Sequence, residues 1–174
     1  MQEWANTHPP KTRAPAGRAM QRWVVPDEGW VKLNSDGAIS KARGKARGGG
    51  DVLRDNNDAF LAGARHLLPS IVDPEATEIL ACKRALQVAL ETNVQRVHVE
   101  LDCLQVVQML NRQARNYSVL GPWIQEVNEM LQGFQEFKVS WTRCSANVAA
   151  HKLARVGVGD EFCMVWLKVP RTIF

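Results

Sequence analysis

Three carboxylates stand where their side chains can converge on one site. Asp36 lies in a predicted strand, Glu78 lies one turn into a predicted helix, and Asp102 follows another predicted strand. An acid at the carboxyl end of a strand can point into a crevice. Because converging carboxylates repel one another, they need cations between them, and two Mg²⁺ ions ~4 Å apart would meet that need. Such a pair serves phosphodiester cleavage, since one ion activates the attacking water and the other stabilises the leaving oxygen.

Each of these acids also has a structural interpretation when it is taken alone. The tripeptide Ser35-Asp36-Gly37 is typical of a turn, and Glu78 can complement the dipole of its helix. Asp102 is typical of a helix N-cap. Glu75, one turn earlier, is an alternative to Glu78 as the acid that this helix contributes.

A basic run precedes the second predicted strand. Its cations are Lys41, Arg43, Lys45 and Arg47, with no acid among them. One interpretation is a set of phosphate contacts to a nucleic-acid duplex, and the other is a solvated hairpin loop. The net charge of +4 and the pI of about 9.0 fit a polyanionic partner without requiring one. Beside a candidate nuclease site we favour phosphate contacts.

The elements that would hold these residues follow from the period of the apolar positions. Alternation predicts strands over 31–36, 51–54, 59–66, 97–101 and 137–141, and residues 41–50 form a glycine-rich stretch between the first two. Helical spacing predicts helices over 74–90, 102–111, 118–133 and 146–156. The order β-β-β-α-β-α-α-β-α predicts an α/β fold with a five-stranded mixed sheet flanked by helices. We expect Trp141 in the core, and Ala149, Leu153 and Val156 as the buried stripe of the last helix.

The two ends of the chain differ from its middle. Residues 1–22 are rich in Pro, Arg, Ala and Thr and show no periodicity, so we predict a disordered linker before a domain over 23–157. Residues 158–174 form a C-terminal tail with several apolar side chains. This tail either packs back on the domain or contacts a partner.

Composition excludes several classes of protein. No apolar run approaches the roughly 18 residues of a membrane helix, so we expect no membrane partner. The four cysteines form no C-x-x-C pair, which argues against a zinc site. Cys82 and Cys103 lie in apolar helical patterns, which predicts that both are reduced thiols in the core. We therefore expect an intracellular protein of the nucleus or cytoplasm.

Five segments in order along the chain form a combined pattern. They are Trp23-x-x-Pro26-x-x-Gly29 to Ala38, Gly48 to Asp55, Glu78 seven residues before Ala85-Leu86, Val99 to Cys103, and Ser145 to Arg155. At these spacings the segments resemble the plant reverse-transcriptase-like ribonuclease H family, which derives from retroelements. The resemblance runs from about Trp23 to Arg155.

The resemblance implies a ribonuclease H-like fold with Asp36, Glu78 and Asp102 as catalytic residues and metal ligands. It implies Mg²⁺ as the cofactor, with Mn²⁺ as an alternative. It also implies cleavage of the RNA strand of an RNA–DNA hybrid. We expect a monomer, with an upstream reverse-transcriptase domain or another protein as a further partner.

Two positions depart from the family pattern. His151 stands where many relatives carry a fourth acid, and Cys144 stands where relatives often carry an arginine, although Arg143 is adjacent. A neutral imidazole binds Mg²⁺ poorly, but it can move protons near neutral pH, so His151 either supports catalysis or has lost that role. We expect His151 and Arg155 to face the crevice.

An active hybrid nuclease is therefore the first hypothesis for the function. The alternatives are a nucleic-acid-binding module of a domesticated retroelement that has lost turnover, a protein-interaction domain that uses the apolar tail, and another nuclease of this fold.

Overall fold

Six strands form one mixed sheet in a computed structural model that describes residues 21–40, 46–68, 73–112, 116–158 and 162–168. The strands are β1 (Val31–Ser40), β2 (Ala46–Arg54), β3 (Phe60–Leu68), β4 (Arg96–Leu101), β5 (Glu136–Trp141) and β6 (Met164–Leu167). The helices are α1 (Pro74–Glu91), α2 (Leu104–Leu110), α3 (Gly121–Leu131) and α4 (Val148–Gly157), the last preceded by a 3₁₀ turn over Cys144–Ala146.

The strand order is β5-β4-β1-β2-β3-β6. The pairs β1–β4 and β4–β5 are parallel, and the other pairs are antiparallel. This arrangement confirms the predicted α/β class and element order, with six strands instead of five. The sixth strand comes from the tail, because Met164–Leu167 pairs with β3 from Ala62 to Arg65. This part of the tail thus packs back on the domain, and β6 is an exposed edge strand.

Helix α1 covers one face of the sheet, and its start was predictable from chemistry. Asp73 is the N-cap, and its Oδ1 accepts a hydrogen bond of 2.8 Å from the Ala76 amide. Pro74 then occupies the first turn, where its missing N–H costs nothing. The helix buries Ile79, Cys82 and other apolar residues against the sheet, in a core that continues through α2 and α3.

Helix α4 lies on the opposite face, directly against the backbone of β2. A β-carbon on Gly50 would lie 2.7 Å from the Leu153 β-carbon, and closer still to the Ala154 nitrogen and the Ala150 oxygen. Glycine is needed here because any larger side chain would push the helix away. The second strand was predicted to begin at residue 51, after a glycine-rich stretch over 41–50. This prediction was wrong, because β2 begins at Ala46 and includes the glycines.

The buried face of α4 also differs from the prediction. The helix buries Ala150, Ala154 and Gly157, whereas Ala149 is exposed and Val156 is 51% exposed. Leu153 is partly buried. The prediction assumed that the larger apolar side chains would be buried. Close contact with the glycines of β2 instead requires small residues on the buried face.

Residues 21–30 contain no helix or strand, yet they cover polar side chains of the sheet. The Arg54 guanidinium lies 3.5 Å from the centroid of the Trp23 ring, and the Trp23 indole donates to Asn34 Oδ1 at 2.8 Å. Beneath them, Lys32 Nζ forms a partly buried ion pair of 2.7 Å with Glu100. The segment from Trp23 onwards is therefore packed as part of the domain.

Some predictions fall outside the described residues. They are residues 1–20 of the linker predicted over 1–22, and the basic side chains of Lys41, Arg43, Lys45 and Arg47. The backbone of Arg47 belongs to β2. In the part of the chain that is described, no helix has the length and apolar character needed to cross a membrane.

Candidate active site

Asp36 and Asp102 come from two neighbouring parallel strands. Asp36 lies within β1 and is 3% exposed, and Asp102 follows the last residue of β4. Since Ser35 pairs with Leu101, the two acids occupy the next position of the same parallel register. Parallel pairing therefore brings together two carboxylates that are 66 residues apart in the sequence.

Glu78 reaches the same place from the first turns of α1. The Gly37 amide donates to Glu78 Oε2 at 3.0 Å, so the glutamate is fixed to the strand that carries Asp36. The approach is close, because a β-carbon on Gly37 would lie 3.0 Å from the Thr77 carbonyl carbon. Gly37 thus allows the helix to present its acid beside Asp36.

The three acids predicted from the sequence meet. One oxygen each of Asp36, Glu78 and Asp102 lies within 4.8 Å of the others. Glu75, the alternative acid of α1, is not part of this group among the described residues. Three oxygen donors at this spacing match the preference of a hard divalent cation such as Mg²⁺.

The electrostatics of the site fit a cation as well. Burial, followed by the negative charge of Asp102, raises the pKa of Asp36 to about 6, although His151 opposes this change. Burial, followed by the charges of Asp36 and Asp102, raises the pKa of Glu78 to about 9. Without a cation, protonation of these acids therefore relieves the electrostatic repulsion within the cluster. A divalent cation would remove the repulsion that those protons relieve, so the donor set fits a metal.

His151 lies at the crevice, as expected. Its Nδ1 is 2.9 Å from Asp36 Oδ2, and its side chain is 49% exposed. The position depends on Gly50, which is the register partner of Asp36 and allows Ala150 of α4 to approach β2. His151, the residue after Ala150, then lies beside the Asp36 carboxylate. Arg155, one turn further along α4, is exposed.

Three further residues contact the site that sequence reasoning did not place there. Interaction with the Asp102 carboxylate, followed by burial, raises the pKa of Cys144 to about 11. The Trp141 indole donates to the Asp102 carbonyl at 3.0 Å, and the buried Asn147 side chain donates to the Ser35 carbonyl at 2.9 Å. The prediction of Trp141 as a core residue was wrong, since the ring is 44% exposed at the end of an edge strand.

Only one signal in the sequence pointed towards these three residues. Cys144 and Asn147 lie in or beside the Ser145–Arg155 segment of the resemblance, whereas Trp141 carries no local signal.

Comparison of the sequence with known proteins gives one relative of plant origin. A protein of Arabidopsis thaliana is 38% identical to this chain over 96 residues. Its name describes it as a ribonuclease H protein by assignment alone. That stretch is 55% of this chain and 15% of the relative, so this chain matches only a small part of that protein.

Two solved structures share the fold. The crystal structure of RNase H1 from Halobacterium salinarum has a TM-score of 0.68 and 20% identity, covering 75% of this chain and 98% of that chain. An RNase H1 isolated from compost, in complex with an RNA/DNA hybrid, has a TM-score of 0.64 and 14% identity. The similarity to this second structure covers 74% of this chain and 96% of the other.

The sequence profile of the reverse transcriptase-like family matches residues 34–157. The matched region begins in β1 and ends with α4, so it contains all three clustered acids and His151. The family match and the solved structures agree on a domain of the ribonuclease H-like fold. The chain belongs to the reverse transcriptase-like family and is a ribonuclease H-like domain.

Proposed function

We propose that the chain is a metal-dependent endonuclease that hydrolyses the RNA strand of RNA–DNA hybrids. The observation that carries this proposal is the convergence of Asp36, Glu78 and Asp102 within 4.8 Å. Divalent cations, Mg²⁺ or alternatively Mn²⁺, would supply activation of the attacking water and charge stabilisation at the scissile phosphate when bound.

The chain's own residues divide the work of the proposed site. Asp36 and Asp102 extend from rigid, paired strands and would hold the cations. Glu78 would hold a cation from a position fixed by the Gly37 amide. We assign proton transfer to His151, because Asp36 orients its ring through Nδ1 while half of the side chain meets solvent.

The proposed substrate follows from the relatives. An RNase H1 of related fold is described in complex with an RNA/DNA hybrid. A hybrid duplex would be recognised by its A-like shape and by its 2′-hydroxyls, without reading of bases. Phosphate contacts from Lys41, Arg43, Lys45 and Arg47 would add a salt-dependent contribution to binding.

The context of the domain is also proposed. We infer a monomer of the nucleus or cytoplasm, with a linker over 1–22, a catalytic domain over 23–157 and a tail over 158–174. An upstream reverse-transcriptase domain or another protein would be its partner.

A strand-specific cleavage assay tests the function. The purified chain is incubated with a hybrid labelled on either strand, in Mg²⁺, in Mn²⁺ and in EDTA. We expect metal-dependent cleavage of the RNA strand alone, and Asp36→Asn should lower the rate by on the order of a thousandfold. Asp27→Asn is the matched control, because Asp27 is exposed and pairs with Lys138 away from the cluster.

A second candidate function is a binding module with lost or weakened turnover. His151 favours it, because an imidazole replaces the acid that many relatives use to hold a cation. Hybrid binding that weakens steeply with salt, with no cleavage in either metal, would support this candidate and reject the enzyme.

A further inference from the structure

Four exposed cations border the crevice on the side that helix α4 forms. Lys152 and Arg155 belong to α4, Arg143 directly precedes the 3₁₀ turn, and Arg22 belongs to the segment before β1. All four residues are exposed, and none of them forms an ion pair with another residue in the described ranges. We call these four residues the α4 cation track.

One end of the α4 cation track is fixed by a contact between two distant segments. The Ser145 hydroxyl donates to the Gln21 carbonyl at 2.9 Å, which holds the segment before β1 against the turn that leads into α4. Arg22 follows Gln21 directly, and Arg143 lies two residues before Ser145. The packed Trp23 ring fixes the backbone on the other side of Arg22. Two cations that are far apart in the sequence are therefore held near one another.

The other end of the track follows the crevice along α4. His151 lies 2.9 Å from Asp36, and Lys152 is the next residue of the helix. Arg155 lies four residues after His151, so the two side chains are neighbours on one face of the helix, about 6 Å apart along its axis. The same half of α4 packs against the backbone of Gly48, directly after the basic run. The track thus leads from the basic run, past the acidic cluster, to the segment before β1.

The lack of acidic partners distinguishes the track from other cations in the described part of the chain. Lys83, Arg96 and Lys138 each form an ion pair with an acid. By contrast, the sequence carries no acid over 4–26 or over 137–159, the two segments that supply the track. Cations without counter-charges repel one another, and a polyanion that binds them removes this repulsion.

We propose that the α4 cation track binds the phosphate backbone of one strand of a nucleic-acid duplex where that strand passes the crevice. Lys152 and Arg155 lie about 4.5 Å apart along the helix axis, close to the ~3.4 Å rise between successive phosphates of a strand. Both cations can therefore contact the same strand. The inference rests on the proposed nucleic-acid substrate, and it adds phosphate contacts that are separate from the basic run and from the acidic cluster.

The salt dependence of binding tests the track without requiring turnover. The full chain is titrated in EDTA against a fluorescently labelled RNA–DNA hybrid, and anisotropy is measured over a series of salt concentrations. We expect the slope of log affinity against log salt to fall by about one for each phosphate contact removed. The double variant of Lys152→Gln with Arg155→Gln should therefore lose about two from the slope, as should Arg22→Gln with Arg143→Gln. Each should also weaken binding by about tenfold or more at moderate salt.

A double variant on helix α1 is the matched control. Lys83→Gln with Arg84→Gln removes the same charge, but Lys83 pairs with Glu126 of α3 and Arg84 bonds to Gln87 of its own helix. This control should leave the slope unchanged. An equal loss in the control would show that only the net charge matters and would overturn the track. The conservative pair Lys152→Arg with Arg155→Lys keeps both charges and should retain the slope.

Two further outcomes would reject the track. They are an unchanged slope in both track variants, and no binding of the hybrid by the unaltered chain. Circular dichroism of each variant verifies folding. Cleavage in Mg²⁺ is measured separately, so a track-dependent slope without cleavage counts against the nuclease alone. Cleavage with an unchanged slope counts against the track alone.

Discussion

Helix α4 borders two regions that differ in how they are packed. Along its buried edge, Ala154 lies against the backbone of Gly48 and Gly50, with no side chain between helix and strand. Near its first turn, His151 meets Asp36 in a cluster of carboxylates. The first region combines small apolar groups at close contact, and the second holds like charges close together.

The difference shows how a fold can contain a site that lowers the stability of the folded protein. Burial and repulsion raise the pKa values of Asp36 and Glu78, which means that their ionised forms are disfavoured in the metal-free protein. The contact between α4 and β2 stabilises the backbone that carries Asp36 and His151. Functional sites commonly lower stability in this way, and the surrounding packing offsets the loss.

Gly50→Ala would disrupt the close contact and should have the largest effect. The added β-carbon has no space, because it would overlap backbone atoms of Ala150 and Ala154. We expect the free energy of unfolding to fall by about 3 kcal/mol, at the upper end of overpacking costs. Urea denaturation measures this change. Gly49→Ala is the matched control on the other face, where the nearest atom is the Ala81 β-carbon at 3.2 Å, and it should cost much less. Equal stability of both variants would contradict the close-packing account.

Glu78→Gln should act in the opposite direction on stability. The pKa of Glu78 is about 9 in the folded protein, whereas an unfolded glutamate titrates near ~4.3. The folded state therefore binds the proton more tightly, so its stability is greatest below the unfolded value and falls as pH rises towards 9. In EDTA at pH 8, the amide should stabilise the protein by about 2 kcal/mol, after discounting for relaxation of the site.

Thermal unfolding across pH 5 to 9 measures this effect. The gain of Glu78→Gln should shrink at low pH. Glu91→Gln, at the exposed end of the same helix, is the control and should follow the unaltered chain. A destabilised Glu78→Gln at pH 8 would show that the three acids do not repel as inferred.

Binding of Mg²⁺ should restore the folding stability that repulsion within the acidic cluster removes. A ligand that binds only the folded state adds about 1.4 kcal/mol at a tenfold excess over its dissociation constant. The increase in melting temperature should be larger at pH 8 than at pH 5, since protons compete with the cation for Asp36 and Glu78. Asp102→Asn should remove most of the increase, and an increase that persists in this variant would place the cation elsewhere.

His151→Asp should produce the smallest change. A fourth carboxylate adds repulsion to the metal-free protein, which should lose less than about 1 kcal/mol at pH 8. It should also strengthen Mg²⁺ binding several-fold, because an oxygen ligand replaces an imidazole. Isothermal titration calorimetry measures the affinity, with His151→Asn as the uncharged control. Weaker binding by His151→Asp would mean that the imidazole already serves the cation.

Local pattern predicted most of the elements but not their close contacts. Helix α1 was predicted over 74–90 and is observed over Pro74–Glu91, because its cap and apolar period are both local. The glycines of β2 and the buried face of α4 were misread for one shared reason. Each depends on the other, and neither segment alone shows that small residues are required.

The candidate site was predictable only in part. Spacing alone could not bring Asp36, Glu78 and Asp102 together, because pairing of β1 with β4 and packing of α1 on β1 are long-range contacts. The family resemblance supplied that convergence, and the roles of the acids stay predictions. Trp141 and the sixth strand could not be predicted, since both depend on partners distant in the sequence.

The packing of residues 21–30 has a consequence for where the cooperative folding unit begins. A fragment starting at Val31 would keep every strand and helix, but it would uncover the Arg54 guanidinium and leave Asn34 Oδ1 without its indole donor. Water would then reach the ion pair of Lys32 with Glu100, which weakens as the local dielectric rises. Amides of β1 and β4 should exchange faster with deuterium in such a fragment, so the functional boundary of the domain lies before Trp23.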